Sequence, residues 1–312
     1  MSPKPEQGDT WPAASCSYSS GHFQRLTSGR RTSCSARAAQ AQSATTAAQT
    51  QQGQRKVDVT FFGCNSWQAR FPQIDKTVLV DPWLVGELTF AGLNWAFEGK
   101  KGLQKPLDVN AIAKQADLLL LSQGLPDHAH KPTLELLPKD LPVVGSPAAA
   151  RVVADMGFKN VFELDHGQSM TFFDDSLQIH ATVGALVGPP WSKRENGFVL
   201  RETKGGSKGG VSLYYEPHCD YDEASLRDAG AQGVDVVITP ASSQLVAGYE
   251  LVQGNSNILK LLQQLQPSVI IPLLNASFPM TGPFSSLVYE DGKADQLTQR
   301  LQQANLSKTK AT

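Results

Sequence analysis

The sequence predicts an α+β fold in which two packed sheets carry helices on their outer faces, an αββα four-layer sandwich. Three observations point to it. The strand-like runs fall into two groups, each mixed with helices only near its end, so the regular strand–helix alternation of a doubly wound parallel sheet is missing. The runs ADLLLLS (116–122), VDVVITP (234–240) and PSVIIPLL (267–274) are continuously apolar, as strands buried on both faces are. Amphipathic helical patterns separate the later strands and need an outer layer to cover.

The elements follow in chain order. KVDVTFFGCNSW (56–67) alternates apolar residues at Val57, Val59 and Phe61 and runs into a turn at Gly63. TVLVDPWL (77–84) is the next strand, ended at Asp81-Pro82 because proline cannot donate to a ladder. The two predict a hairpin-like start. Residues 93–110 read as a loop or short helix, with Asp108 capping a helix over 109–115. After the strand at 116–122, strand character recurs in LPVVGSP, NVFELD, SMTFFDD, SLQIHATV, GFVLRET and VSLYYEP. Helices are predicted for SPAAARVVADMG, with a Ser cap and a Gly stop, for DEASLRDAG and SNILKLLQQLQ, and for KADQLTQRLQQA at 293–304. The Gly- and Pro-rich stretches 184–196 and 277–286 are candidate rim loops over a site.

Composition sets the boundaries. Of 312 residues, 40% are hydrophobic and 18% charged, which suits a globular body, and no apolar run reaches the roughly 18 residues of a membrane span. Residues 1–55 differ: they hold six basic residues and two acids, with no acid from Thr10 to Arg55. Such a Ser-, Ala- and Arg-rich stretch cannot bury enough surface to fold alone and has the character of a transit peptide, for the chloroplast first and the mitochondrion second. The expected domain is therefore residues 56–312, with a net charge of −5, which argues against nucleic acid as a partner. Cys64 and Cys219 alone remain in it, too few for a disulfide framework.

The chemistry concentrates in ADLLLLSQGLPDHAHKPTLELL (116–137), where a buried strand enters a loop carrying Asp127, His128 and His130. His218 and Cys219 follow another strand in LYYEPHCDYD. His130 reads as an exposed histidine capping the next helix, His180 as a satisfied strand residue and His166 as a turn residue. Cys64 and Cys219 read as buried inert thiols, with a meeting across a pocket as the alternative; Trp67, Trp83 and Trp191 read as lining for an apolar pocket, or Trp67 and Trp83 as core; Lys193 and Arg194 read as part of a solvated loop, with contact to an anion as the alternative. Asp81 reads as a structural brace at the sheet edge.

The order and spacing of VTFFGCNSW, TVLVDPWL, LLLLSQGLPDH, SLYYEP and VIIPLL resemble the metallo-β-lactamase-fold hydrolases, in particular the branch of ascorbate-6-phosphate lactonase-like proteins, over roughly residues 57 to 304. That family's metal motif is strand-Ser/Thr-His-x-His-x-Asp-His. Here Ser122 takes the first place, Gln123 and Leu125 stand at the first two histidines, and Asp127 and His128 keep the last two. The resemblance further sets Leu186 and Leu274 at two later histidines, and Pro217, His218 and Cys219 where the family has Gly-Asp-Thr. Leu offers no donor to zinc, so the resemblance implies no standard dinuclear centre. Three readings stay open. Asp127, His128 and His218 hold one Zn or Fe ion, with His130 or Cys219 as a fourth donor, for hydrolysis of a small ester, lactone or phosphodiester. Alternatively, His128 or His218 acts as a metal-free general base oriented by Asp127, or Cys219 as a thiolate. In the third reading the chain is a non-catalytic relative that binds a small molecule or a protein. A small, anionic ligand is what the resemblance implies.

Overall fold

The computed structural model describes residues 15–20 (backbone only), 55–89, 93, 95–101, 106–203, 210–275 and 278–312. Two seven-stranded sheets stack face to face. The first runs in spatial order Ser15–Ser20, Arg55–Gly63, Ser66–Phe71, Lys76–Val80, Leu118–Leu121, Val143–Gly145 and Val161–Glu163. The second runs Lys310–Ala311, Val269–Leu273, Val236–Pro240, Ser212–Tyr215, Asn196–Glu202, Leu177–Val183 and Ser169–Phe172.

Each sheet obeys one rule. Strands joined by turns or loops pair antiparallel, and strands separated by a helix pair parallel, as a crossover requires. In the first sheet the crossovers are the helices Val109–Gln115, Lys131–Leu136 and Pro147–Asp155. In the second they are Glu223–Gly230, Gly254–Leu265 and Leu297–Gln303. The caps are those the sequence marks: Asp108, Ser146 and Asp222 each accept a backbone N–H of the first turn.

The continuously apolar runs are explained by burial on both faces. Leu118 and Leu120 enter the core between the sheets, where Val57, Trp67 and Val78 meet Ile179, Phe198, Leu213 and Ile238. Leu119 and Leu121 turn outward onto the helices beside Leu134 and Val153. Val237 and Ile270 do the same in the second sheet, against Leu226 and Leu262. Each such side chain contributes roughly 1.5–3 kcal/mol through burial. The sandwich predicted from sequence is the one observed.

Three details differ from the sequence reading. Ser66–Phe71 is a strand of its own, lying between the two strands predicted to pair directly. Trp67, Ala69 and Phe71 alternate with the polar Gln68 and Arg70 and are fully buried, a strand pattern in the residues that the sequence reading passed over. A three-stranded sheet of Tyr249–Gln253, Ser243–Val246 and Val288–Asp291 was not anticipated at all. Of the expected leader, residues 1–14 and 21–54 lie outside the described residues, and Ser15–Ser20 is a strand paired with Arg55–Gly63.

Candidate functional site

The polar groups of interest sit just past the carboxyl ends of strands in both sheets, the usual place for a site in sheets of this kind. Gly63, at φ +91°, turns the chain so that Cys64 and Asn65 follow the first of these strand ends. Asp81 follows Val80, Ser122 follows Leu121, Glu216 follows Tyr215, and Asn275 comes two residues after Leu273. Cys64, Asp81 and Cys219 adopt positive φ (55°, 41° and 53°), a strained conformation for side chains of this size. Between Ser122 and the helix Lys131–Leu136, the amides of His128 and Ala129 close onto the Leu125 carbonyl (3.0 and 2.7 Å), which fixes the loop carrying Asp127 and His128.

Asp81 is the hub. Its Oδ1 accepts the Ser122 amide at 2.8 Å, and its Oδ2 accepts the Ser122 hydroxyl, the Tyr215 hydroxyl at 2.6 Å and His128 Nδ1 at 2.7 Å. Asp81, Ser122, His128 and Tyr215 are all fully buried. The other imidazole nitrogen, Nε2, lies 3.2 Å from Asp127 Oδ2, which Asn65 Nδ2 approaches at 3.4 Å. Burial opposes a charge on His128, but Asp127 and Asp81 outweigh it and push the ring up to about 10. Burial likewise works against the Asp127 carboxylate, and is outweighed by the charge and hydrogen bond of His128, with His218 adding to them; the carboxyl stays below its ordinary value. An imidazolium thus bridges two carboxylates.

His218 stands beside this group, its ring centroid 5.6 Å from that of His128. Burial first, and the neighbouring His128 charge second, bring it down to about 3, so it is neutral. Gln123 Nε2 lies 2.9 Å from His218 Nδ1, so the side-chain amide of Gln123 engages that ring nitrogen and leaves Nε2 outside the bond. Glu216 Oε2 holds the amides of His218 and Asp220 (3.0 and 2.9 Å), and burial pushes its carboxyl up to about 8.

Above these groups lies a cavity of about 390 Å³. Its floor is Cys64, Asn65, Asp127, His218 and Asn275, and its walls are almost wholly apolar, among them Leu88, Phe97, Phe278, Met280, Phe284 and Leu287. The three-stranded sheet closes one side with Gln244, Val246 and Val252. Three floor oxygens, Asn65 Oδ1, Asp127 Oδ1 and Asn275 Oδ1, are buried with no donor in the protein. Asn275 cannot turn its amide round to relieve this, because its Nδ2 donates to the Pro217 carbonyl at 2.6 Å.

The structure therefore brings Asp127, His128 and His218 to one place and leaves several other expected residues elsewhere. His130 is not exposed; it is 2% accessible, with Nδ1 2.9 Å from Thr133 Oγ1 and Nε2 3.2 Å from the Glu87 carbonyl. Cys219 packs among the outer helices and does not meet Cys64; burial raises both thiols, Cys64 to about 12, which rules out a thiolate at neutral pH. Trp67 lies in the core between the sheets, Trp83 sits behind the wall against Phe278, and Trp191 is 86% exposed. The stretch 184–196 does not line the cavity, whereas 278–287 does. Lys193 and Arg194 pair with Asp165 and Asp220, each at 2.5 Å. Asn65 and Asn275 were missed; their position directly after a strand end was the available signal. Asp81 braces more than backbone, because its carboxylate orients His128.

A metal ion does not fit the donors in this arrangement. Among the described residues no three His, Cys, Asp or Glu side chains stand together as a metal-holding group. His128 would have to give up the Nε2 proton that it directs at Asp127. What remains of the expected ligand set is a carboxylate–imidazole–carboxylate chain.

Known proteins were compared with this geometry in hand. By overall structure the chain is similar to a possible metal-dependent hydrolase from Veillonella parvula DSM 2008, at 14% identity and TM-score 0.57, covering 80% of this chain and 94% of that one. It is similar to an isothiocyanate hydrolase from Delia radicum gut bacteria, at 15% identity and TM-score 0.58, covering 80% and 93%. A third similar structure is Igni18, a metallo hydrolase from Ignicoccus hospitalis KIN4/I, at 15% identity and TM-score 0.53, covering 82% and 94%. At such identities the likeness is one of fold. No curated protein matches the sequence. The sequence profile of the Beta-lactamase superfamily domain matches residues 58–274, most of the described chain, and on that match, with the four-layer sandwich beneath it, the chain belongs to that family.

Proposed function

We propose that the chain is a hydrolase-like member of its family whose site is altered from a metal centre to a hydrogen-bonding pocket for a small molecule. The observation that carries this reading is a cavity with almost wholly apolar walls whose floor carries polar side chains, among them that of Asp127, 21% accessible. A carboxylate at the floor of an apolar cavity is a fixed point for a ligand's N–H or O–H donors. The cavity volume lies within the range of small-molecule sites, and its composition, apolar walls with a few convergent polar groups, is theirs too. Asp127 accepts the ligand's polar end, His128 holds Asp127 ionised, and His218 adds a neutral imidazole. The motif resemblance to the lactonase-like branch supports the choice of a small molecule over a protein partner.

A second reading, hydrolysis of an ester or lactone, is favoured by that same pairing of an ionised carboxylate with a neutral imidazole. Asp127 would take a proton from water attacking the carbonyl carbon, and His218, with its ring proton on Nε2, would face the oxygen that gains charge. The proton on Asp127 would then pass to the departing alkoxide. The test common to both readings is calorimetry with octanol on chelator-treated protein. Octanol is expected to bind with the same affinity before and after chelation, and to lose that affinity in Val246→Trp, which fills the cavity from its half-exposed sheet. Binding that needs added zinc or iron, or none at all, removes the pocket reading.

A further inference from the structure

The floor of the cavity carries a carboxylate and, among the described residues, no cation in its lining. The Asp127 side chain is 21% accessible there, while the side-chain amide nitrogen of Asn275 is taken up by the Pro217 carbonyl. Two carboxylates, Asp81 and Asp127, face the single imidazole of His128, so the floor is not positive in either state of that ring. No Lys or Arg lines the cavity among the described residues. Lys101 is held on the carbonyls of Phe62 and Gly63 (2.5 and 3.3 Å) and opens onto a different recess. The basic loop residues Lys193 and Arg194 are engaged with acids outside the cavity lining. A carboxylate or phosphate placed here would meet the Asp127 charge with no Lys or Arg in the lining to offset it.

Resting on the pocket proposed above, we infer that its ligand is a primary amine with an apolar body, bound as the ammonium against the Asp127 carboxylate, with hydrocarbon against Phe97, Phe278, Phe284 and Leu287. An ammonium carries three donors and a charge opposite to that of Asp127; a hydroxyl carries a single donor and no charge. Charge-assisted hydrogen bonds to a carboxylate are about twice as strong as neutral ones. Three of the wall residues are phenylalanines, whose ring faces tolerate a cation nearby. This reverses the anionic ligand that the sequence resemblance implied.

The experiment compares octylamine, octanol and octanoate, each below its aggregation concentration, by calorimetry on the full chain. Octylamine is expected to bind about tenfold more tightly than octanol, the size of one charge-assisted contact over a neutral one, and octanoate more weakly than either. In Asp127→Asn the preference for the amine should vanish, octylamine losing more affinity than octanol. If that variant fails to fold, octylamine's advantage on the native chain should fade as pH rises through the amine's own pKa, with octanol unaffected. If octanol or octanoate binds as well as octylamine, and binding is lost in Val246→Trp, the ligand class is wrong although the pocket stands. If none of the three binds, the pocket reading falls and the amine with it.

Discussion

The two halves of the molecule are built to one plan, antiparallel strands followed by helix-linked parallel ones, yet they treat their strand ends differently. The first half places its charged groups there: Asp81 after one strand, Asp127 and His128 after another. The second half contributes neutral or proton-bearing groups, His218, Glu216 and Asn275, and spends its extra chain on walls. Its strand Val236–Pro240 does not pass directly into a helix; residues 243–253 intervene as two strands of the small sheet, and residues 278–291 complete the enclosure. Charge is thus fixed deep in the first half, and most of the walls come from insertions in the second, with Leu88 and Phe97 added from the first.

The sharpest way to break this contrast is Asp81→Asn. The substitution leaves the buried His128 ring beside a neutral amide and alters the acceptance of three further hydrogen bonds. A loss of roughly 3–5 kcal/mol in denaturant unfolding is expected, as for the breaking of a buried ion pair from one side. A loss below about 1 kcal/mol would mean that the first half does not depend on its charges. A smaller effect comes from His218. Its ordinary value of 6.5 in the unfolded chain falls to about 3 in the fold, so the unfolded state binds more protons in that window. Stability should therefore be full above pH 6.5 and decline as pH falls toward 3, at up to about 1.4 kcal/mol per unit. His218→Gln should lose roughly 1–2 kcal/mol less than the native chain between about pH 6.5 and 4.5, and parallel pH profiles for the two would show that the ring is already charged in the fold. The smallest change in stability belongs to the walls. Phe284 is 53% exposed, so Phe284→Ala should cost less than about 1 kcal/mol of stability. Octanol affinity should nonetheless fall several-fold, because the ring it removes covers the cavity. Unchanged affinity would take this segment out of the site.

The pattern of what could be read from the sequence follows the same division. Leu118–Leu121, Val236–Pro240 and Val269–Leu273 were legible because strands buried on both faces leave an unmistakable apolar run. Asp127, His128 and His218 were legible because they stand directly after such runs. The walls were not. Tyr249–Gln253 and Val288–Asp291 are partly exposed and mixed in composition; the first pairs with Ser243–Val246 through a register shift and the second reaches that same strand from far along the chain, so neither leaves a clear local periodicity. Nor could the sequence show that His128 directs both nitrogens at carboxylates. That depends on Asp81, 47 residues earlier, reaching the same point through a different strand.

One feature of the hub bears on how such a site changes over generations. Asp81 belongs to the first sheet and grips Tyr215 of the second, while Tyr215 packs edge-on against Trp67 in the seam between them at 5.1 Å. The anchor of the pocket is therefore also a rivet of the sandwich. Val246, Phe284 and Leu287 line the cavity away from that rivet, so changes there can alter what the cleft accepts on a frame that stays put.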